Sequence, residues 1–361
     1  PLYSSAASDV YKRQVYVGID KPGAVRNLKA VEDLNKEGLI HVTWDAPLGQ
    51  HGGYIDPAGL TYYISIGSSS EDVSLGNNNY YDEQLNIKSK QEYTGYSVYA
   101  VNSSGGGREQ WQTVTAIAGP ALKAPMIESF KNCTMKSGPW ITNMTNGEIG
   151  DAYCYAATES TVTLAQDNDG GLQTFSATAV GKSVRSESPK VDIKNMKSPV
   201  LNFWAYLNGD GDELNISVQK DYGEFVDVRR ISTAEGTKGW NRFSIDLTPY
   251  KDCKFLRIGF EGKAVKNLDN FVAYDNVAIV EKAAADLMAM SIETEERVKA
   301  GSESVVEFSF RNNTNTDVKG TDYDIVLYKN DKEVNRIDGV DIPCDLSLIH
   351  ISEPTRRRGI S

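Results

Sequence analysis

The sequence predicts an all-β chain built from tandem β-sandwich modules. Helical periodicity is almost absent, and apolar residues instead alternate with polar ones over short stretches. Clusters of Gly, Asn, Asp and Pro separate those stretches. The chain has 361 residues, enough for two to three units at roughly 100–150 residues per domain. A period of two puts every second side chain on one face of a strand. Many such strands with turn signals between them mean sandwiches or barrels.

Along the chain, Ile40, Val42 and Trp44 give the first clear alternation, followed by Tyr62, Ile64 and Ile66. The middle of the chain carries four more: Leu201, Phe203, Ala205 and Leu207; Leu214, Ile216 and Val218; Phe243, Ile245 and Leu247; and Leu256, Ile258 and Phe260. Phe308 and Phe310, then Ile325 and Leu327, continue the rule after residue 300. Two linkers interrupt it, AGPALKAP at 118–125 and EKAAA at 281–285. They divide the chain into units at 22–120, 121–283 and 284–345. The stretch 15–21, opening VYVGID, reads as the end of a preceding module.

The two ends have a different character. Ser4 to Gln14 read SSAASDVYKRQ and Leu346 to Arg356 read LSLIHISEPTR. Both resemble translated transposon sequencing adapter, in the two opposite orientations. This implies that 1–14 and 346–361 are artefact and that the native piece, 15–345, was cut at both ends. Such segments are excluded from fold reasoning. Their removal takes away Lys12, Arg13, Arg356, Arg357, Arg358, Asp9 and Glu353, leaving 33 basic and 47 acidic residues and a formal charge of −14. An acidic chain repels phosphate backbones, so nucleic acid is not an expected partner. His350 goes as well, leaving His41 and His51 in one short stretch, which leaves little material for Ser-His, Cys-His or His-zinc chemistry. Carboxylate-pair chemistry needs no histidine, but nothing marks a specific pair. The four cysteines, Cys133, Cys154, Cys253 and Cys344, form no CxxC pair. A Cys133–Cys154 bridge is open, with free buried thiols the preferred reading. No apolar run reaches the ~20 residues a membrane span needs.

PGAVRNLKAVED at 22–33, LIHVTWDAP at 39–47, LTYYISI at 60–66 and YSVYAVNSSGGG at 96–107 make the first unit resemble a fibronectin type III domain. The resemblance implies a sandwich with Trp44 as core tryptophan. Its corner tyrosine would fall at Thr94, between Tyr93 and Tyr96, and stays unassigned. The second unit opens with IESF at 127–130. It continues through DNDGG at 167–171, SPKVDI at 188–193, SPVLNFWAYLNGDGDELNISV at 198–218 and WNRFSIDLTPYKDCKFLRIGFEG at 240–262, and closes with YDNVAIV at 274–280. In that order these resemble the cleaved-adhesin or MAM-like jelly rolls of bacterial surface proteins. The third unit, with an AG turn, an RNN turn and a DIVLY strand, resembles an immunoglobulin-like adhesion module without its final strands. The missing strands imply an exposed sheet edge.

Three groups of residues are candidates for chemistry. The acidic turns DNDGG at 167–171 and NGDGDE at 208–213 offer the oxygens and tight turns that Ca²⁺ uses, but Asp, Asn and Gly also dominate ordinary turns. The jelly-roll resemblance implies a structural Ca²⁺ held by Glu128, Asp275 and Asn276, tying the two ends of the sandwich together. The aromatics Trp140, Trp204, Tyr206, Trp240, Tyr80 and Tyr81 could form a sugar-stacking or protein-binding surface, with core packing as the cheaper account of most of them.

The expectation is therefore a non-catalytic piece of a modular bacterial protein, secreted or on the cell surface, that binds a glycan or an extracellular protein. Two alternatives share the same fold. The units are accessory modules of a secreted peptidase or glycoside hydrolase whose catalytic domain lies elsewhere, or they are a structural stalk. Fold-level resemblance does not decide among these.

Overall fold

The computed structural model describes residues 18–87, 89–147, 150–157, 165–166, 171–209, 212–233, 239–263, 272–282, 287–294, 303–312, 317–329, 332–342 and 349–356. Throughout them the regular structure is β, with a few single 3₁₀ turns. The chain is all-β, as its alternation predicts.

Eight strands lie between residues 26 and 118: β1 (Arg26–Glu32), β2 (Leu39–Asp45), β3 (Thr61–Ile66), β4 (Val73–Gly76), β5 (Tyr80–Gln84), β6 (Glu92–Asn102), β7 (Gly105–Gly106) and β8 (Gln112–Ala118). They form one sheet in the order β1-β2-β5 and a second in the order β4-β3-β6-β7, with β8 also on β6. Ile40, Val42 and Trp44 point from the first sheet into Tyr62, Ile64, Tyr96, Val98 and Ala100 of the second. Trp44 meets Tyr62 edge-on at 5.5 Å, the arrangement favoured by ring quadrupoles. At the corner left unassigned, Thr94 pairs with Ala116 on the β6–β8 ladder. The buried tyrosine there is Tyr96, whose hydroxyl donates to Glu83 Oε2 at 2.6 Å.

Thirteen strands follow: β9 (Leu122–Lys123), β10 (Met126–Glu128), β11 (Ile141–Asn146), β12 (Ala152–Ala157), β13 (Leu172–Ala177), β14 (Ser183–Glu187), β15 (Val191–Asp192), β16 (Pro199–Leu207), β17 (Glu213–Lys220), β18 (Phe225–Ser232), β19 (Gly239–Asp246), β20 (Leu256–Lys263) and β21 (Val272–Glu281). One sheet runs β12-β13-β21-β16-β19, with β10 also on β21. The other places β11-β14-β20 beside β17 and β18, with β15 and β9 continuing from β20. Leu201, Phe203, Ala205 and Leu207 of β16 meet Leu214, Ile216 and Val218 of β17 and Leu256, Ile258 and Phe260 of β20 between the sheets. Tyr274 stacks on Phe260 at 4.1 Å, and Phe203 meets Phe260 edge-on at 5.2 Å. Burying each such side chain contributes roughly 1.5–3 kcal/mol relative to exposure. Phe243 and Ile245 are only half-buried, because β19 ends its sheet and covers one flank of the core.

The last strands are β22 (Leu287–Thr294), β23 (Glu303–Asn312), β24 (Asp324–Lys329), β25 (Lys332–Asp338) and β26 (Ile349–Arg356). They form sheets β22-β23-β26 and β24-β25. An exposed edge is expected of this unit, and β26, which lies in the adapter-like end, pairs with β23 from Phe310↔Ile349 to Glu303↔Arg356. An unpaired ladder accepts any extended segment within reach. The other adapter-like string, at 4–14, lies outside the described residues.

Candidate functional site

Strand β16 decides what each face of the second sandwich shows. Phe203, Ala205 and Leu207 are buried between the sheets, so Trp204 and Tyr206 turn to the outer face and remain half-buried. Cross-strand register then places their neighbours. Tyr206 pairs with Trp240 and Trp204 with Arg242 on β19, while Tyr206 pairs with Ala273 and Trp204 with Asp275 on β21. Ala273 in turn pairs with Thr174, and Thr174 with Tyr155. One row, Tyr155–Thr174–Ala273–Tyr206–Trp240, thus crosses five of the six strands of this sheet, β10 being the exception.

Tyr206 and Trp240 meet edge-to-face, with centroids 5.4 Å apart and planes at 62°. They pack on Leu172 and Ala273, which form a small apolar cluster of their own, separate from the main core. On the far side of the row, Tyr153 and Tyr155 of β12 are 52% and 51% exposed. Cys154 between them faces inward, with its Sγ 3.6 Å from Gln173 Oε1. The outer side of this sheet therefore carries aromatic rings at both flanks, exposed at Tyr153 and Tyr155 and half-buried at Trp204, Tyr206 and Trp240, while Leu172, Thr174 and Ala273 between them are buried. Rings with one wet edge and one apolar side suit a ligand that has both characters.

Of the six aromatics singled out in the sequence, the structure groups Trp204, Tyr206 and Trp240 on this face. Trp140 belongs to the core, against Phe130 at 5.3 Å and Tyr274 at 6.1 Å, and its Nε1 donates to Ser137 Oγ at 3.2 Å. Tyr80 and Tyr81 sit on β5 of the first sandwich. Tyr153 and Tyr155 were missed, although the alternation in YCY carried the signal.

The residues considered for Ca²⁺ are placed as follows. Glu128 ends β10 and is 1% exposed, and Asp275 in β21 is fully buried. Glu128 Oε1 accepts from Phe130 N–H at 3.2 Å, and its Oε2 accepts from Ser137 N–H at 2.8 Å and Ser137 Oγ at 2.7 Å. Asp275 Oδ2 accepts from Gln166 N–H at 3.2 Å and Oδ1 from Asn276 N–H at 2.7 Å, while Asn276 Nδ2 donates to Gln166 Oε1 at 3.0 Å. By register Glu128 stands opposite Val277, two positions along β21 from Asp275. Phe130, Asn132 and Asn276 all have left-handed backbone, with φ of 54°, 53° and 50°. Gly171 lies so close to Phe130 O that a Cβ there has no room. Carboxylates and an amide match a hard cation in donor type, but the register sets Asp275 beside the outward Trp204 and Glu128 beside the core residue Val277, and both carboxylates already accept from N–H groups. Among the described residues no group of three or more His, Cys, Asp and Glu is placed to hold a metal, so further ligands there would have to be other oxygens.

The acidic turns divide. Residues 167–170 of DNDGG lie outside the described residues. In the second turn Asp212 is buried and its Oδ2 accepts from Gly209 N–H at 2.9 Å, while Thr233 Oγ1 donates to Gly209 O at 2.7 Å. That arrangement closes a strand connection, the ordinary work of an Asp in a turn. Cys154 is a free thiol, so it forms no bridge to Cys133, and burial pushes it up to about 12. His41 and His51 both bond carboxylates. His41 Nδ1 lies 2.8 Å from Asp82 Oδ1 and its Nε2 3.3 Å from Asp33 Oδ2, and His51 Nδ1 lies 2.9 Å from Asp20 Oδ1. Among the described residues no helix is long and apolar enough to cross a membrane.

No protein-family model matches the chain, and no curated protein matches it. Among solved structures it is similar to the K1 cleaved adhesin domain of Lys-gingipain from Porphyromonas gingivalis W83. That match has 16% identity, covers 44% of this chain and 99% of that one, and has a TM-score of 0.34. A carbohydrate-binding module of the β-sandwich superfamily matches at 11% identity over 72% of this chain and 99% of its own, with a TM-score of 0.34. The family 11 carbohydrate-binding module from Clostridium thermocellum, in complex with a β-1,3-1,4-mixed-linked tetrasaccharide, matches at 14% over 39% and 88%, with a TM-score of 0.26. Likeness at this level identifies neither a family nor a ligand.

Proposed function

We propose that this chain is a non-catalytic binding segment of a modular bacterial protein that works outside the cell, and that its second sandwich holds a glycan on the outer face described above. The observation that carries this reading is the Tyr206–Trp240 pair seated on Leu172 and Ala273, with Trp204 beside it. Aromatic rings left partly in water are the kind of surface that a pyranose ring can cover. The division into units at 22–120, 121–283 and 284–345 belongs to the same reading, since the first two sheet pairs are each built from strands of one range, while the third also takes in β26. Screening the full chain on a glycan array tests it. Binding lost in Trp240→Ala supports the outer face, whereas an array with no binder favours a stalk.

Glu128, Asp275 and Asn276 are further proposed to hold a structural Ca²⁺. When bound, the ion would neutralise two buried carboxylates and tie β10 to β21 at the closing seam of the sandwich. Backbone N–H groups orient both carboxylates, and the proposal requires the ion to share or replace those partners.

A further inference from the structure

The seam between the first two sandwiches is built around one carboxylate. Glu32 ends β1 and is 6% exposed. Its Oε1 accepts from Gly38 N–H at 2.6 Å and Gly119 N–H at 2.9 Å, both on its own side. Its Oε2 reaches across and accepts from Lys190 Nζ at 2.6 Å and Tyr222 OH at 2.9 Å. Lys190 is only 2% exposed, and its Nζ lies 5.2 Å from the centroid of Phe255 and 5.7 Å from that of Tyr222. The main chain of Lys190 is gripped as well. Gln91 Nε2 donates to Lys190 O at 2.8 Å, and Lys190 N–H donates to Gln91 Oε1 at 2.7 Å. The linker adds to this, since Leu122 N–H donates to Lys190 O and Ala124 N–H to Asp192 O, with β9 parallel to β15.

We infer that the first and second sandwiches form one rigid body, with Glu32 as the group that fixes their angle. Relative motion is the default between modules joined by a short linker. Here four donors from both modules converge on one carboxylate, and only one orientation aligns them all. Exposed ion pairs across a seam would tolerate hinging, but a buried, fully bonded pair does not, because removing one partner leaves an uncompensated charge. Such a pair specifies geometry more than it adds stability. The Lys29–Glu224 pair at 3.0 Å and the donation from Lys254 Nζ to Leu34 O at 2.9 Å lie at the exposed rim of the same seam. A cavity of about 390 Å³, lined among others by Asp33, Asn35, Lys123 and Asp192, opens beside it. The consequence is that the outer aromatic face is presented at a set angle to the first sandwich instead of swinging on a tether.

Residual dipolar couplings on the full chain test this directly. In the wild type, one alignment tensor should fit the amides of β1–β8 and of β10–β21 together. Lys190→Met should make two tensors necessary while each sandwich keeps its own internal couplings. Glu32→Gln is the second variant should Lys190→Met fail to fold. The Glu32→Leu/Lys190→Met pair, which removes both charges, should return the two halves to one tensor. Two tensors in the wild type, or a single shared tensor in both Lys190→Met and Glu32→Gln, would overturn the inference.

Discussion

Asp20 is fully buried at the entry to the first sandwich, and His51 closes over it with both its ring Nδ1, at 2.9 Å, and its backbone N–H, at 2.7 Å. Gly53 N–H and Lys21 N–H complete the set. Burial acts against the ionised form, but these donors outweigh it and hold the carboxyl at about 2. A folded value below the unfolded one, ~3.9, contributes stability that is present above the unfolded value and is lost as pH falls through the folded one. Urea unfolding between pH 5 and pH 2 should therefore show wild type losing stability faster than Asp20→Asn. Parallel curves for the two proteins would refute it.

His41 behaves in the opposite sense. The hydrogen bond it donates to Asp82 raises it, partial burial opposes the shift, and Asp33 adds to it. A raised value gives stability that is complete below ~6.5 and is lost as pH rises through the folded value. The ring is partly in water, so the pair contributes under about 1 kcal/mol. An NMR titration should place His41 above the ordinary histidine value, with Asp82→Asn bringing it back down.

Phe203 lies between the sheets of the second sandwich, fully buried, against Phe243 at 5.7 Å and Phe260 at 5.2 Å. Phe203→Ala should cost about 3–5 kcal/mol of unfolding free energy, as truncation leaves a cavity that packed neighbours fill only in part. Tyr153→Ala, on the outer face, should stay within about 0.5 kcal/mol. Chemical denaturation of the two variants checks both figures.

Burial holds the Cys154 thiol at about 12 and the Cys253 thiol at about 11. The thiolate is the reactive form. Neither cysteine should react with a disulfide reagent at pH 8 in the folded chain, and both should react at once in denaturant. Rapid labelling of Cys154 in the native protein would contradict its inward placement.

If Glu128, Asp275 and Asn276 hold Ca²⁺, the melting temperature should rise with added Ca²⁺ and fall with chelator, and Asp275→Ala should abolish the response. Linkage sets the scale at about 2.7 kcal/mol when the ion is at a hundred times its Kd. A melting temperature indifferent to both reagents would remove the site.

Much of this architecture was legible in the sequence, and the reasons for the rest are physical. A period of two separated Phe203 and Ala205 from Trp204 and Tyr206, but it does not say which pair faces the core. Only the packing of β16 against β17 and β20 decides that. Phe243 and Ile245 read as the core-facing side of an alternating strand, yet β19 is an edge, and edge position is a property of the sheet and not of the segment. Trp140 looked available for a ligand because a lone tryptophan in a turn-rich stretch has no periodicity to read. The Glu32–Lys190 pair joins residues 158 positions apart and leaves no local trace in either neighbourhood.

The central claim is that the outer face of the second sandwich binds a glycan through Trp240 and Tyr206. Isothermal titration of the full chain with soluble polysaccharides tests it most directly, alongside Trp240→Ala and, as a control on the first sandwich, Tyr80→Ala. The account predicts that a glycan bound by the wild type loses about tenfold or more in affinity, some 1.4 kcal/mol, in Trp240→Ala and nothing in Tyr80→Ala. Glycan binding that is indifferent to Trp240→Ala would contradict it.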